Sequence, residues 1–277
     1  MKMRVLCCLA LFSILLGLVS CTKDAPFELE IRFLDVGQGD AVLLRTSEGD
    51  VLVDAGSDAS QEALCLRLEQ IGVRELALAV FTHSDEDHIG GADGVLRRFP
   101  TQTVWITRFF EDNLCTQMLL DAADDTGAEV IEVTNGRHRM LGTTGIAVFS
   151  PYGSMNGADD NDSSIILKVA CKGISALLMG DASIDTEAML PSIHDRTQLD
   201  CDILKVAHHG ASSSTGDAFL QAATPTYAVI SCGAGNFYGH PHGEVLERLK
   251  SIGAEILRTD LDGEIVFQTD GKTVWQP

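Results

Sequence analysis

Between residues 28 and 54, apolar and polar positions alternate in three short runs, ELEIRFLD, DAVLLRT and DVLVDAG. Gly37-Gln38-Gly39-Asp40 and Glu48-Gly49-Asp50 separate them. Period-two alternation bounded by glycine and acidic residues predicts three antiparallel strands joined by turns. Downstream the pattern switches repeatedly between the two periods. It predicts helices near 61–71, 92–98 and 112–125, with strands over 76–81 and 102–106. A second strand-rich block follows at 146–149, 163–169 and 174–179, then a helix around 185–190. Strands at 202–206 and 227–231 alternate with helices at 215–222 and 243–252, and strands near 255–257 and 264–268 close the chain. Two halves, each with strands first and helices after, imply an α/β fold of two sheets packed face to face with helices outside.

The N-terminal pattern is of another kind. Lys2 and Arg4 precede an uninterrupted apolar run over 5–19, the layout of a secretory signal peptide, which does not count toward the fold. Leu18-Val19-Ser20-Cys21 then resembles the bacterial lipobox, in which the cysteine is lipidated and becomes the new N-terminus. The expected organisation is a lipoprotein signal peptide over 1–21, a tether over 22–27 and a catalytic domain over 28–277. A plain transmembrane anchor is the alternative, although the apolar run is shorter than the roughly 18 residues of a span. Either way the body is placed outside the cytoplasm with the membrane as a partner, and a multiply acylated Cys21 would anchor it firmly.

Without the leader and Cys21, five cysteines remain, Cys65, Cys115, Cys171, Cys201 and Cys232. None forms a C-x-x-C pair, which argues against a zinc ribbon or a thioredoxin-like site. Buried thiols, with at most one or two bridges, are the expectation. The body is long enough for one large domain.

Charge narrows the partners. The chain carries 20 Lys+Arg against 40 Asp+Glu, a net charge of −20 that becomes −22 without Lys2 and Arg4. Non-specific affinity for nucleic acid comes from Lys and Arg neutralising phosphates, so binding of a long duplex without a local basic patch is disfavoured. The only dense basic cluster, Arg137-His138-Arg139, is expected to be a solvated loop.

Four metal-binding side chains fall within six residues at His83, Asp85, Asp87 and His88, directly after the apolar strand LALAVF and before Ile89-Gly90-Gly91. A strand end followed by a glycine-containing turn lets such side chains converge, which suits a metal site.

Here the chain resembles the metallo-β-lactamase superfamily, whose signature H-x-H-x-D-H it matches except for Asp85 in place of the second histidine. The H-x-D-x-D-H form looks like the extracytoplasmic hydrolase domain of the ComEC family of DNA-uptake competence proteins. Matching segments run in order through essentially the whole body: Phe33 to Ala41, Val51 to Gly56, Asn161 to Ser164, Leu178 to Asp181, Leu204 to Gly210 and Asn236 to Pro241. The resemblance implies an αββα sandwich of two mixed sheets with helices outside. It further implies that His83 and Asp85 hold one divalent metal, that Asp87 and His88 hold another, and that Asp181 bridges them. His208 is the favoured ligand of the His208-His209 pair, with His209 a further ligand or a proton donor. Asp54 is expected to orient a ligating histidine rather than to ligate, or else to be a turn-forming aspartate. Where the superfamily commonly has a further histidine this chain offers Asn161, a poor ligand. Asn161 and Ser164 are therefore expected to position substrate or water. His138 and His194 lie outside the matching segments and are expected at the surface. His240 is expected to assist the leaving group or complete the metal shell.

Asp85, Asp87 and Asp181 would leave two divalent cations with residual positive charge, favouring an anionic substrate and an activated hydroxide. Asp87, His209, His240 and Asn161 are the candidate catalytic groups. Zinc is the first expectation for the metals, with manganese admitted because Asp85 hardens the ligand set. The implied activity is a phosphodiesterase or nuclease acting on DNA or oligonucleotides through a two-metal-activated hydroxide. A hydrolase of a small ester, lactone or cyclic nucleotide is the alternative enzyme, and a non-catalytic binding lipoprotein the alternative of another class.

Overall fold

The structure, a computed structural model, describes residues 27–152 and 160–277. The apolar leader, the lipobox Cys21 and most of the expected tether lie outside the described residues. The first sheet contains β1 (Leu29–Phe33), β2 (Val42–Thr46), β3 (Gly49–Val53), β4 (Leu78–Val80), β5 (Thr103–Ile106) and β6 (Glu129–Glu132). The second contains β7 (His138–Leu141), β8 (Thr144–Ser150), β9 (Ile166–Cys171), β10 (Ile174–Leu178), β11 (Ile203–Lys205), β12 (Tyr227–Ile230) and β13 (Glu255–Arg258). The chain then returns to the first sheet with β14 (Ile265–Thr269), paired to β1, and β15 (Val274–Trp275). The expected αββα sandwich is therefore formed, from sheets of eight and seven strands.

Strand alternation explains the layering. In β2, Val42 and Leu44 face the shared interior while Leu43 faces the opposite way; in β3 the same split separates Val51 and Val53 from Leu52. Leu78 and Val80 of β4 join Leu167, Val169, Ala176 and Leu178 of the second sheet in the central core. Leu43, Leu52 and Ala79 instead pack beneath α1 (Gln61–Ile71), α3 (Ala92–Arg98) and α4 (Leu114–Thr126), α2 being the single turn Glu86–Ile89. The outer face of the second sheet is covered by α5 (Ile184–Ile193), α7 (Asp217–Ala223) and α8 (Gly243–Ser251). The short α6 (Arg196–Leu199) and α9 (Thr259–Asp262) complete the helices among the described residues.

Most elements fall where periodicity predicts them, with informative departures. The strand expected from residue 163 begins at Ile166, because Ser163 and Ser164 are used elsewhere: Ser163 Oγ donates to Asp160 O, and Ser164 Oγ accepts from Asp181 N. Arg137-His138-Arg139 is not a loop but leads into the edge strand β7, with His138 exposed. His194 is not at the surface: it is buried, stacked 4.0 Å from the Phe149 ring at an interplanar angle of 9°. All five cysteines are free thiols, four of them buried. No helix among the described residues is long and apolar enough to cross a membrane.

Candidate metal centre

In each sheet the adjacent strands nearest the site run parallel, β3 to β5 in the first and β10 to β12 in the second. Their carboxyl ends open toward one another, the location where α/β sheets place ligands. Asp54 follows β3, Thr82 and His83 follow β4, Asp181 follows β10, His208 and His209 follow β11, and Ser231 follows β12. A backbone bond from Ile165 N to Thr82 O, at 2.9 Å, ties the two halves together at this level.

Asp54 organises the first half. Its Oδ1 accepts from Thr82 N at 2.8 Å, and its Oδ2 accepts from Thr82 Oγ1 at 2.8 Å and lies 2.8 Å from His88 Nδ1. With Nδ1 of His88 committed as donor, its Nε2 is left to face the opposite wall. Thr82 Oγ1 sits 3.0 Å from His83 Nδ1, so the same carboxylate steers His83 through the threonine. Asp40, which follows two glycines, enters from the loop after β1. Gly39 is required there, since a Cβ at its φ of +129° would lie 2.1 Å from Asp87 O.

The second half supplies the counterpart. His209 is buried, with Nδ1 2.9 Å from Ser231 O and 3.4 Å from Asp40 Oδ1. Its Nε2 therefore points inward, 3.3 Å from His88 Nε2, 3.4 Å from Asp181 Oδ2 and 3.2 Å from Asp87 Oδ2. Asp181 Oδ1 lies 3.1 Å from His88 Nε2. His208 and His209 both adopt left-handed backbone, φ 49° and 53°. Such strain in non-glycine residues costs of order 1–3 kcal/mol each and persists where surrounding structure enforces it. Gly210 completes the turn at φ +81°, with Pro241 packed where a Cβ would stand.

Asp40, His88, Asp181 and His209 thus bring four ligand atoms within 4.8 Å of one another, a cluster able to hold a divalent cation. Its donors fit one. Two imidazole Nε2 atoms converge on the buried Asp181 carboxylate, with Asp87 Oδ2 beside that of His209, and like lone pairs there repel unless protons or a cation intervene. His83 Nε2 and Asp181 Oδ1 are buried without a well-aligned hydrogen-bond partner. Burial alone would lower the pKa values of His88 and His209, yet Asp181 beside both, with Asp54 at His88, pushes them well above the ordinary histidine range. Burial raises Asp181 and the facing imidazoles more than reverse it, so its carboxyl stays well below the usual range.

The other expected residues stand around this cluster. His83 Nε2 is 4.0 Å from Asp181 Oδ2 and 3.6 Å from Asp85 Oδ2, and the Asp85 side chain is half-exposed. His208 Nε2 is 3.7 Å from Asp181 Oδ2 at the solvent side. The His240 ring is 5.8 Å from that of His208 and 6.3 Å from that of His209. Burial and the neighbouring His209 and His208 hold His240 down at about 4, a neutral imidazole at neutral pH. Asn161 occupies the turn before β9, with Oδ1 buried and lacking a hydrogen-bond partner among the described residues. The contacts from that turn toward the site come from its neighbours: Asp160 Oδ2 accepts from Ser84 N at 2.9 Å, and Ser164 Oγ accepts from Asp181 N at 3.2 Å.

Two residues at the centre were not singled out by the sequence patterns. Lys205 is buried at the end of β11, with Nζ in contact with Asp40 Oδ2, 3.3 Å from Gly180 O and 4.0 Å from Asp181 Oδ1. Burial would raise Asp40, but Lys205, His209 and His88 together outweigh it and hold that carboxyl at about 2. The available signals were a lysine inside the apolar run DILKVA and an aspartate in a segment otherwise read as a turn.

Comparison with known proteins agrees with this architecture. The profile of the Metallo-beta-lactamase superfamily matches residues 34–110. The chain is 31% identical to ComE operon protein 3 of Bacillus subtilis over 95% of its own length and 35% of that protein. It is 31% identical to competence protein ComA of Neisseria gonorrhoeae over 92% of its length and 34% of that protein. It therefore spans about a third of the curated relatives it matches. Among solved structures, the metallo-beta-lactamase fold protein YhfI from Bacillus subtilis superposes with a TM-score of 0.56 at 13% identity, covering 90% of this chain and all of that one.

Proposed function

From a metallo-β-lactamase fold that resembles a third of the ComEC-family competence proteins, we propose that this chain is a metal-dependent phosphodiesterase whose substrates are short or single-stranded nucleic acid. The observation that carries the reading is the convergence of His88 and His209 Nε2 on the Asp181 carboxylate at the strand ends. Two divalent ions, zinc or manganese, would be held by His83, Asp85, Asp87, His88, Asp181 and the His208-His209 pair, and would supply Lewis acidity to the phosphoryl oxygens and acidify the attacking water.

The chain's own groups set up that chemistry. Asp54 and Ser231 O hold Nδ1 of His88 and His209, so that a cation displacing the Nε2 protons would meet two lone pairs aimed at one point. Asp40, neutralised by Lys205, braces His209 from behind. His240, neutral and at the rim, is placed to hydrogen-bond a leaving oxygen rather than to surrender a full proton. The cavity above Asp181 is small, about 90 Å³, and acidic residues border it. This geometry and the net charge of −20 favour a small or single-stranded diester over a duplex.

Purified, metal-loaded protein should hydrolyse a dithymidine phosphodiester faster than an equal concentration of linkages in a long duplex. Hydrolysis of a carboxylic ester or lactone with no diester turnover would overturn the reading in favour of the small-ester hydrolase.

The lipobox carries a separate proposal, that Cys21 is lipidated and tethers the domain outside the cytoplasm. Cys21→Ala should leave an unprocessed precursor that incorporates no labelled fatty acid. Unchanged labelling and membrane fractionation of that variant would rule the lipid anchor out.

A further inference from the structure

The rim of the site presents aromatic surface that the metal chemistry does not use. Phe237 is fully exposed and Tyr238 is 66% exposed, although their loop is firmly held. Asn236 Nδ2 donates to Gly233 O at 2.9 Å and to His240 O at 2.7 Å, while its Oδ1 accepts from His240 N at 3.0 Å. His242 N donates to Gly210 O at 2.9 Å, joining the loop to the turn that carries His208 and His209. Large aromatic side chains fixed in water forgo the free energy of burial, and an exposed aromatic pair beside a site marks a contact surface.

The rings also form a series. His240 lies 6.3 Å from His209 at 29°, and Tyr238 lies 5.5 Å from His240 at 19°, so near-parallel rings step outward from the buried imidazole. Tyr238 borders both the small cavity above Asp181 and a larger cleft of about 580 Å³ that runs past Ser57 and Glu86.

We propose that Tyr238 is a stacking platform for a nucleobase adjacent to the scissile phosphate. The inference rests on the phosphodiesterase reading of the site. Charge explains why binding would depend on such a platform. Among the described residues the two cavities are lined by Asp85, Glu86 and Asp87 but by no lysine or arginine, so phosphate neutralisation by those side chains contributes little there. Stacking needs no such charge. Every base offers a π-face, so an aromatic platform binds without sequence preference and depends less on salt than phosphate contacts do.

Calorimetric titration of the metal-loaded protein with thymidine 5′-monophosphate and with 2-deoxyribose 5-phosphate reads the platform without turnover. The wild type should bind the base-bearing compound more tightly by about 5- to 150-fold, the usual range for one stacked base. Raised salt should weaken both compounds while preserving the ratio. Tyr238→Ala should bring the ratio toward one and Tyr238→Phe should retain it, since the ring and not the hydroxyl does the stacking. A wild-type ratio near one, or an undiminished ratio in Tyr238→Ala, would overturn the proposal. Diester turnover without base-dependent binding removes the platform alone. Base-dependent binding without diester turnover upholds the platform and overturns the phosphodiesterase reading.

Discussion

Asp181→Ala is expected to cost more than about a hundredfold in diester turnover, beyond the 10–100-fold typical of losing a group that merely supports a ligand. Bound metal should fall well below two per chain. The reason lies in what the carboxylate separates. Its oxygens stand 3.1 Å from His88 Nε2, 3.4 Å from His209 Nε2, 3.7 Å from His208 Nε2 and 4.0 Å from His83 Nε2. Removing it leaves imidazoles from both sheets facing one cavity with no central negative charge, and two cations bound there would repel each other unscreened. Metal content by plasma mass spectrometry, with circular dichroism to confirm the fold, checks the expectation. Two tightly held metals per chain in this variant would exclude a bridging role for Asp181.

Lys205→Ala is expected to destabilise the domain by about 3–5 kcal/mol, the range for removing one partner of a buried ion pair. Lys205 and Asp40 are 1% and 2% exposed, so the carboxylate cannot regain bulk solvation when the ammonium is lost. Asp40 would be left as a buried carboxylate close to Asp181, with the His209 and His88 rings as its remaining charged partners among the described residues. Combining Lys205→Met with Asp40→Asn should recover most of the loss, because the stranded charge is then gone as well. Urea unfolding of the single and double variants measures this. A single variant as stable as the wild type would show that the pair contributes nothing to the fold.

The layered architecture was legible because strand alternation and helical periodicity are local properties. Leu43 and Leu52 alternate with Val42, Leu44, Val51 and Val53, and that pattern already divides a central core from an outer one. The motif around His83 to His88 was legible for the same reason, its donors being adjacent in sequence. Two things were not. Asp40 and Lys205 meet only because a loop from the first sheet reaches a strand of the second, a pairing between residues far apart in sequence. The two adjacent imidazoles were inseparable in sequence because their difference is conformational. Left-handed backbone at both turns His209 into the buried interior, against Ser231 O, and leaves His208 at the solvent side. The burial of His194 is hidden from the sequence for a comparable reason: nothing near it along the chain announces the Phe149 ring on which it stacks.

We take the cluster at the strand ends to be a metal centre that cleaves phosphodiesters. The most direct measurement is to strip the purified protein with a chelator, restore zinc or manganese in fractional equivalents, and follow bound metal and dithymidine phosphodiester hydrolysis in the same samples. Turnover should be absent in the stripped protein, climb as metal is restored and level off near two equivalents per chain. Turnover that persists in the stripped protein, or a fully loaded protein that leaves the diester intact, would contradict it.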